Sequence, residues 1–156
     1  MIVNSRGDIE DFWAQKRIAI AGVSRDPGDF TRRVYAALVE RGYDVVPVNP
    51  GCSEVDGQHC YARVADIPAS VDAVVVMTPA GVTSEILQEC AARSIRRVWL
   101  HGTGGKCKVP AAGVESLRRD GMVVIAGLCP FMFMPQSGFF HRFHGWIEKV
   151  SGHVRQ

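Results

Sequence analysis

Residues 17–25 read Arg-Ile-Ala-Ile-Ala-Gly-Val-Ser-Arg, and this stretch decides the fold. An apolar run of strand length breaks at Gly22-Val23-Ser24, just before a helical pattern begins. A strand that enters a helix through a tight glycine turn points unpaired helix N–H groups outward, and these groups favour an anion. The stretch therefore predicts a βα unit with a phosphate-binding turn that ends at Arg25.

The rest of the chain alternates between apolar runs and helical patterns. The predicted strands are nearly continuous in apolar residues, as in a parallel sheet that helices cover on both faces. They lie at 18–21, 45–48, 71–77, 98–100 and 123–126. Because crossovers between parallel strands are right-handed, this order predicts an α/β fold, namely a doubly wound, mainly parallel five-stranded Rossmann-like sheet.

Helical patterns lie before the first strand and between the strands. Asp8 is expected to cap an initial helix over 8–15. The helix after the first strand is expected to end at Gly42 in a left-handed cap. Pro79 suits the first turn of the next helix, and 112–119 predicts a shorter crossover helix. These helices would cover both faces of the sheet.

The chain is expected to form one domain over residues 1–156, with a core at about 17–130 and an aromatic C-terminal extension at 131–156. Several apolar residues of the extension share one helical face, which predicts an extra C-terminal helix. They are Phe139, Phe143, Ile147 and Val150. This helix is expected to pack on the domain, or to contact a protein partner or a second copy of the chain.

Length and composition fit a globular protein. The 156 residues are 47% hydrophobic and 22% charged, and the net charge of +2 is too small to predict nucleic-acid binding. The amino terminus turns polar before the apolar core of a signal peptide forms, and no apolar run approaches a membrane span. We therefore expect a cytoplasmic protein that contacts neither nucleic acid nor membrane. Its five scattered cysteines, with no CxxC pair, predict neither a disulfide framework nor a metal site.

The glycine turn departs from the dinucleotide-binding fingerprint. In Gly22-Val23-Ser24-Arg25-Asp26-Pro27 the second and third glycines are missing, while Ser24 supplies a hydroxyl and Arg25 a charged donor. The second strand ends in Val48-Asn49-Pro50, without the acidic residue that binds the ribose in NAD sites. Asn49-Pro50 is also ordinary turn chemistry, and both roles can hold. A phosphate-bearing ligand other than NAD is favoured.

Seven short motifs occur in an order that resembles the small stand-alone CoA-binding proteins. They are Gly22-x-Ser24, Thr31-x-x-Val34, Arg41-Gly42-Tyr43, Val46-Pro47-Val48-Asn49-Pro50, Asp72, Val98-Trp99-Leu100 with Gly102, and Cys129-Pro130. That family is similar to the Rossmann-type CoA-binding domain of the succinyl-CoA synthetase alpha subunit, and the resemblance spans residues 17–130.

The resemblance implies the positions of the ligand. The turn formed by Gly22, Val23, Ser24 and Arg25 would hold CoA phosphate. The end of the second strand would line the adenine or pantetheine path through Val48, Asn49 and Pro50. The loop Thr78-Pro79 would border the same cleft.

Two more predicted positions follow later strands, at the edge where open α/β sheets bind ligands. Gly102 would offer backbone N–H groups to an anion, or belong to a flexible surface loop. The Cys129 thiol, before Pro130, would face the CoA sulfur and form a mixed disulfide, or it is a buried cysteine that shapes a turn.

Three side chains near the predicted turn have two interpretations each. Thr31 is expected to cap the following helix rather than to contact a ligand. Arg32 and Arg33 either clamp a phosphate or form a solvated helix face, and at least one of them is expected to be solvated.

No nucleophile, base and acid form a local signature, so the sequence favours a non-catalytic protein. We expect it to bind CoA or acyl-CoA at the C-terminal edge of the parallel sheet, with the diphosphate at the Gly22–Ser24 turn. The ligase chemistry of the synthetase is not expected, since its separate domain has no counterpart in 156 residues. Two alternatives stay open: an NAD(P)-dependent oxidoreductase, and a protein-interaction module with a vestigial nucleotide site.

Overall fold

The computed structural model describes residues 2–136, except the side chain of Lys106, and the backbone pairing of Val154 and Arg155. The strands are β1 (Asn4–Ser5), β2 (Arg17–Ala21), β3 (Asp44–Val48), β4 (Glu54–Val55), β5 (Gln58–His59), β6 (Ala73–Val76), β7 (Arg97–Thr103), β8 (Lys106–Cys107), β9 (Val123–Leu128) and β10 (Val154–Arg155). The helices are α1 (Arg6–Trp13), α2 (Phe30–Glu40), α3 (Ala80–Ala92), α4 (Ala111–Arg119) and α5 (Pro130–Phe133), with a 3-10 turn at Val64–Asp66.

Five parallel strands form the main sheet in the order β3-β2-β6-β7-β9. After β2 the chain adds β3 on one side of it, and then returns to add β6, β7 and β9 on the other side. This is a doubly wound order. This confirms the predicted Rossmann-like α/β sheet. The strand predicted at 71–77 is shorter, and β7 runs on to Thr103 because it pairs there with the antiparallel strand β8.

Successive side chains of each strand pack alternately into two separate hydrophobic cores, one on each face of the sheet. Ile18 and Ile20 pack in the layer that contains α1, α2 and α5, whereas Ala19 and Ala21 pack in the opposite layer with α3 and α4. Both sets are fully buried. Because successive side chains of a strand point to opposite faces, a strand covered on both sides must be apolar throughout.

The helix ends partly match the predictions. Gly42 has φ +86°, and the N–H groups of Gly42 and Tyr43 donate to Val39 and Leu38 at the end of α2, as expected for a left-handed cap. The expected cap at Asp8 is wrong. The Ser5 Oγ accepts the Asp8 N–H (3.4 Å), so α1 begins two residues earlier, at Arg6.

A buried side chain covers the edge of the sheet beyond β9. The Asn4 amide donates to the Ala126 carbonyl (2.9 Å) and accepts the Ala126 N–H (2.8 Å), so it reproduces the pairing of a strand for one residue. β1 pairs in parallel with β10. The predicted C-terminal helix, with Phe139 and Phe143, lies outside the described residues. Within the part described, no helix is long and apolar enough to cross a membrane.

Candidate ligand-binding site at the carboxyl edge of the sheet

The register of the sheet brings three loops to one place. Ala21 pairs with Val48 on one side and with Val76 on the other, so β2, β3 and β6 end at the same level. The strand order reverses between β2 and β6, which makes this position the topological switch point of the sheet. Open α/β sheets bind ligands there, outside the carboxyl ends of the strands. A cavity of about 480 Å³ lies there, a size suited to a small-molecule site.

The cavity brings together half of the residues singled out from the sequence. Those that line it are Gly22, Val48, Asn49, Pro50, Thr78 and Pro79. Those that are not part of its lining are Val23, Ser24, Arg25, Gly102, Cys129 and Pro130. A cavity therefore lies between the ends of β2, β3 and β6, and residues of β7 and β9 do not line it.

Gly22 lies against the loop that follows β6. It has φ +99°, and a Cβ atom at this position would lie 2.7 Å from the Met77 carbonyl oxygen and 3.1 Å from a methyl carbon of Thr78. Its own N–H donates to the Val48 carbonyl (2.8 Å). Only glycine satisfies both the backbone conformation and the close approach, so the two loops touch at this residue.

The turn after Gly22 is held by hydrogen bonds within the chain. The Ser24 N–H donates to Thr31 Oγ1 (2.9 Å), and the Asp26 N–H donates to Ser24 Oγ (3.1 Å). Val23 is fully buried, so its side chain belongs to the core. The Ser24 N–H therefore already has an acceptor, whereas the Ser24 hydroxyl, which the sequence analysis assigns to a phosphate, can still donate. The Arg25 side chain is exposed and makes no ion pair with residues 2–136.

Asp29, and not Thr31, caps helix α2. The Asp29 carboxylate accepts the Thr31 N–H (2.7 Å) and the Thr31 hydroxyl (2.6 Å), and these two hydrogen bonds lower its pKa. The expected cap at Thr31 is therefore wrong. A negative side chain fills the start of α2, so a phosphate placed there would meet an anion rather than a free helix dipole.

Helix α3 begins without such a cap. Pro79 precedes it, no side chain caps it, and in the described structure the N–H groups of Ala80 and Gly81 have no protein acceptor. The Lys108 Nζ donates to the Thr78 carbonyl (2.9 Å) beside this helix start. The α3 terminus thus offers free donors and a positive charge next to Thr78 and Pro79, which line the cavity, as anion sites at helix N-termini do.

Asn49 joins two of the three loops. Its Nδ2 donates to the Val23 carbonyl (2.7 Å), and its Oδ1 accepts the Gly51 N–H (2.8 Å). The side chain therefore closes the turn after β3 and also supports the turn after β2. Both roles considered for Asn49-Pro50, turn chemistry and cavity wall, hold together.

The sequence analysis did not identify the part of the lining that lies outside the strand-end loops. It consists of residues from the 3-10 turn region and from α3, namely Ala62, Arg63, Val64, Val82, Glu85, Ile86 and Glu89. Arg63 Nε contacts Glu89 Oε1 (2.9 Å) at the rim. One signal was available: Glu85 and Glu89 lie four residues apart, on the face of a helix predicted to start at Pro79.

The remaining predicted positions lie along later strands. Gly102 pairs with Cys107 in the β7–β8 hairpin, and Cys129 precedes the short helix α5, of which Pro130 is the first residue. Neighbouring His101 lies 6.0 Å from the Phe30 ring, and burial, assisted by Lys108, lowers its pKa below 6.5. A mixed disulfide between Cys129 and CoA stays a prediction.

The profile of a CoA-binding domain matches residues 16–135. The chain belongs to the CoA-binding domain family. As a CoA-binding domain, it is similar to the ADP-forming acetate–CoA ligase I subunit alpha of Pyrococcus furiosus, with 31% identity over 130 residues that make up 75% of this chain and 28% of that subunit. The chain spans between 12% and 28% of the length of five acetate–CoA ligase relatives.

Solved structures show the same domain by itself and within larger proteins. A hypothetical protein from Pyrococcus horikoshii OT3 matches with a TM-score of 0.69 and 29% identity over 80% of this chain and 85% of that one. The dinucleotide-forming acetyl-coenzyme A synthetase 1 of Ca. Korarchaeum cryptofilum matches with a TM-score of 0.61 and 26% identity, over 72% of this chain and 26% of that one. The domain therefore occurs in both settings.

Proposed function

We propose that the cavity between β2, β3 and β6 is the CoA site, and that the protein binds CoA or acyl-CoA there without catalysing a reaction. This proposal rests on the agreement between the residues that line the cavity and the residues for which the sequence resemblance implies ligand contacts. In a chain of the CoA-binding domain family, the cavity at the reversal point is lined by Gly22, by Asn49-Pro50 and by Thr78-Pro79. These are the three loops in which the sequence resemblance implies ligand contacts.

The lining suits the neutral parts of CoA. Val48, Met77, Val82 and Ile86 are apolar, and an adenine ring or a pantetheine chain gains binding free energy by leaving water against such side chains. The charged groups of the lining, Arg63, Glu85 and Glu89, come from the 3-10 turn region and from α3 and not from the loops that follow the strands. The ligand would therefore enter with its apolar part inside and its phosphates toward the loops.

The phosphates have donors on two sides of Gly22. On one side are the Ser24 hydroxyl and the exposed Arg25 guanidinium, and on the other are the free amides at the start of α3. The Asp29 carboxylate disfavours the start of α2. We therefore place the diphosphate between the side chains of the Gly22–Ser24 turn and the first turn of α3, both of which the Gly22–Thr78 contact brings together.

The proposal of a non-catalytic role rests on the chemistry of the lining. Among the described residues that line the cavity there is no histidine or cysteine. Of its two glutamates, Glu89 is engaged with Arg63, and Glu85 has no histidine or cysteine in the lining to act with. The acetate–CoA ligase relatives are named for a reaction that uses CoA, but this chain covers only a small share of their length. We therefore transfer ligand binding from them and not the ligase reaction.

Calorimetric titration with CoA, NAD⁺ and NADP⁺ tests the proposal. We expect CoA to bind at least about tenfold more tightly than either dinucleotide, a difference of about 1.4 kcal/mol. Two exposed valines on helices form a matched pair: Val82 lines the cavity and Val39 does not. Val82→Phe should weaken CoA binding about tenfold or more, and Val39→Phe should leave it unchanged. Tighter binding of NAD⁺, or equal binding by both variants, would overturn the assignment.

A further inference from the structure

Two of the cysteines meet at the base of the β4–β5 hairpin. The Cys52 N–H donates to the Asn49 carbonyl (3.2 Å), and the Cys60 thiol points to the same carbonyl oxygen (3.8 Å). The Cys60 N–H also donates to the Ser53 carbonyl (2.9 Å), which closes the hairpin. Both cysteines are therefore held against Asn49, whose side chain is part of the cavity wall.

The two cysteines lie at the same Asn49 carbonyl and differ in accessibility. Cys60 is 3% exposed, whereas Cys52 is half-buried and packs against the core cluster that contains Cys60. Burial first, and then charge and hydrogen-bond interactions with the Cys52 thiol, raise the pKa of Cys60 to about 11. Cys52 is thus the sulfur that a solute can reach, and Cys60 is the sulfur held behind it.

We propose that Cys52 and Cys60 form a reversible dithiol–disulfide pair that exchanges with low-molecular-weight disulfides. This inference is independent of the proposed CoA site. A thiolate in contact with a second thiol forms a mixed disulfide that the second thiol then resolves. Cys52 and the half-buried Cys107 each direct the thiol to a nearby carbonyl, that of Glu54 (3.0 Å) and of Val109 (3.2 Å). Cys52 differs in that Cys60 is held at the same Asn49 carbonyl, and Cys90 is fully buried.

The exchange with a disulfide RS–SR has two steps. The Cys52 thiolate attacks one sulfur of RS–SR, forms the bond Cys52–S–S–R and releases one RS⁻. The Cys60 thiolate then attacks the Cys52 sulfur, closes the Cys52–Cys60 disulfide and releases the second RS⁻. The two thiol protons end on the released thiolates, so the protein dithiol is oxidised while RS–SR is reduced to two RSH.

Closure of the disulfide changes the loop behind the cavity wall. It cross-links the hairpin at its base, and Cys60 can then no longer donate its S–H to the Asn49 carbonyl. Because burial raises the pKa of Cys60, its thiolate is scarce near neutral pH and the second step is the slower one. When Cys60 is removed, no second thiol resolves the mixed disulfide at Cys52, so this adduct accumulates.

The experiment treats the full chain with glutathione disulfide and, in a parallel arm, with CoA disulfide, and maps the peptides without reductant. Wild type should show a linked Cys52–Cys60 peptide with the loss of two hydrogen atoms, reversed by a dithiol reductant. Cys60→Ala should trap one glutathione-sized or CoA-sized adduct at Cys52. Cys52→Ser should show neither product, and the control Cys107→Ser should behave as wild type.

Absence of the Cys52–Cys60 linkage in wild type, which requires no variant to fold, would overturn the proposal. So would equal labelling of Cys52 and Cys107 in Cys60→Ala, because that is the behaviour of unpaired surface thiols. Comparing the rates with glutathione disulfide and with CoA disulfide distinguishes failure of this proposal from failure of the proposed CoA site. Equal rates with glutathione disulfide and CoA disulfide would leave the dithiol pair standing and would count against a CoA site beside it.

Discussion

Arg32 and Asp56 form an ion pair of 2.6 Å that joins helix α2 to the tip of the β4–β5 hairpin. The same guanidinium donates through Nη1 to the carbonyls of Ser24 (3.4 Å) and Arg25 (3.3 Å). Its side chain is only 11% exposed. One arginine therefore supports the proposed phosphate turn and the hairpin that carries the two cysteines. It holds these two segments in place, and the phosphate contact considered for Arg32 from the sequence stays a prediction.

Arg32→Gln should lower the free energy of unfolding by about 1–3 kcal/mol, because two carbonyls and a carboxylate lose a largely buried charged donor. CoA binding should weaken as well, since the turn that carries Arg25 loses its support. The control is Arg33→Gln, whose guanidinium lies over the Phe30 ring at 5.8 Å. The free energy of unfolding of Arg33→Gln should stay within about 1 kcal/mol of the wild-type value. Urea denaturation and calorimetry measure both effects, and equal losses in the two variants would contradict the assignment.

Gly22→Ala should destabilise the protein more than Gly42→Ala. Both glycines have positive φ, which costs alanine about 1 kcal/mol. Only at Gly22 does the new Cβ also meet a backbone oxygen, that of Met77 at 2.7 Å, whereas Gly42 has open space around it. The clash should add about 1–3 kcal/mol and reduce CoA binding. Denaturation curves of the two variants, measured side by side, test the difference.

Thr31→Val should release the Ser24 N–H, because the methyl group that replaces the hydroxyl accepts no hydrogen bond. We expect a loss of about 1–2 kcal/mol in the free energy of unfolding. Thr31→Ser keeps the hydroxyl and should lose less than half as much. Faster hydrogen exchange of the Ser24 amide in Thr31→Val, and not in Thr31→Ser, checks the assignment. Unchanged exchange in both variants would contradict it.

His101 should make the protein less stable in mild acid. Its folded-state pKa lies below the usual value of 6.5, mainly because burial disfavours the imidazolium. The unfolded chain therefore binds more protons over this range, and the free energy of unfolding falls as the pH falls through about 6.5. His101→Gln should flatten this part of the pH profile. Urea unfolding at about pH 7.5 and about pH 5.5 measures the difference between wild type and variant, and equal slopes would refute the prediction.

Much of the fold was predictable because its signals are local. Runs of Val, Ile and Ala specify buried strands, and Gly42 specifies the end of α2 through the steric limits on φ. The errors at helix starts have a common cause. Ser5, Asp8, Asp29 and Thr31 all carry side chains that can cap a helix, and residue type does not say which of two neighbours accepts the hydrogen bond.

The candidate site was predictable only where it follows strand ends. Gly22, Asn49 and Thr78 come directly after strands, and parallel strands in register place such residues together. Arg63 and Glu89 come from a 3-10 turn region and from the last turn of α3, so no periodicity or spacing joined them. Their contact depends on how two non-adjacent segments pack.

The local sequence is enough to specify the parallel strands, the glycine turn after β2 and the edge where a ligand is expected, because these follow from backbone sterics and the burial of apolar runs. Which donors remain available at that edge is a property of the folded chain. Thr31 takes the Ser24 amide and Asp29 fills the start of α2, while α3 stays uncapped. A backbone N–H that already donates within the chain is not free for a ligand, and its partner is fixed only when the turn after β2 folds against the start of α2.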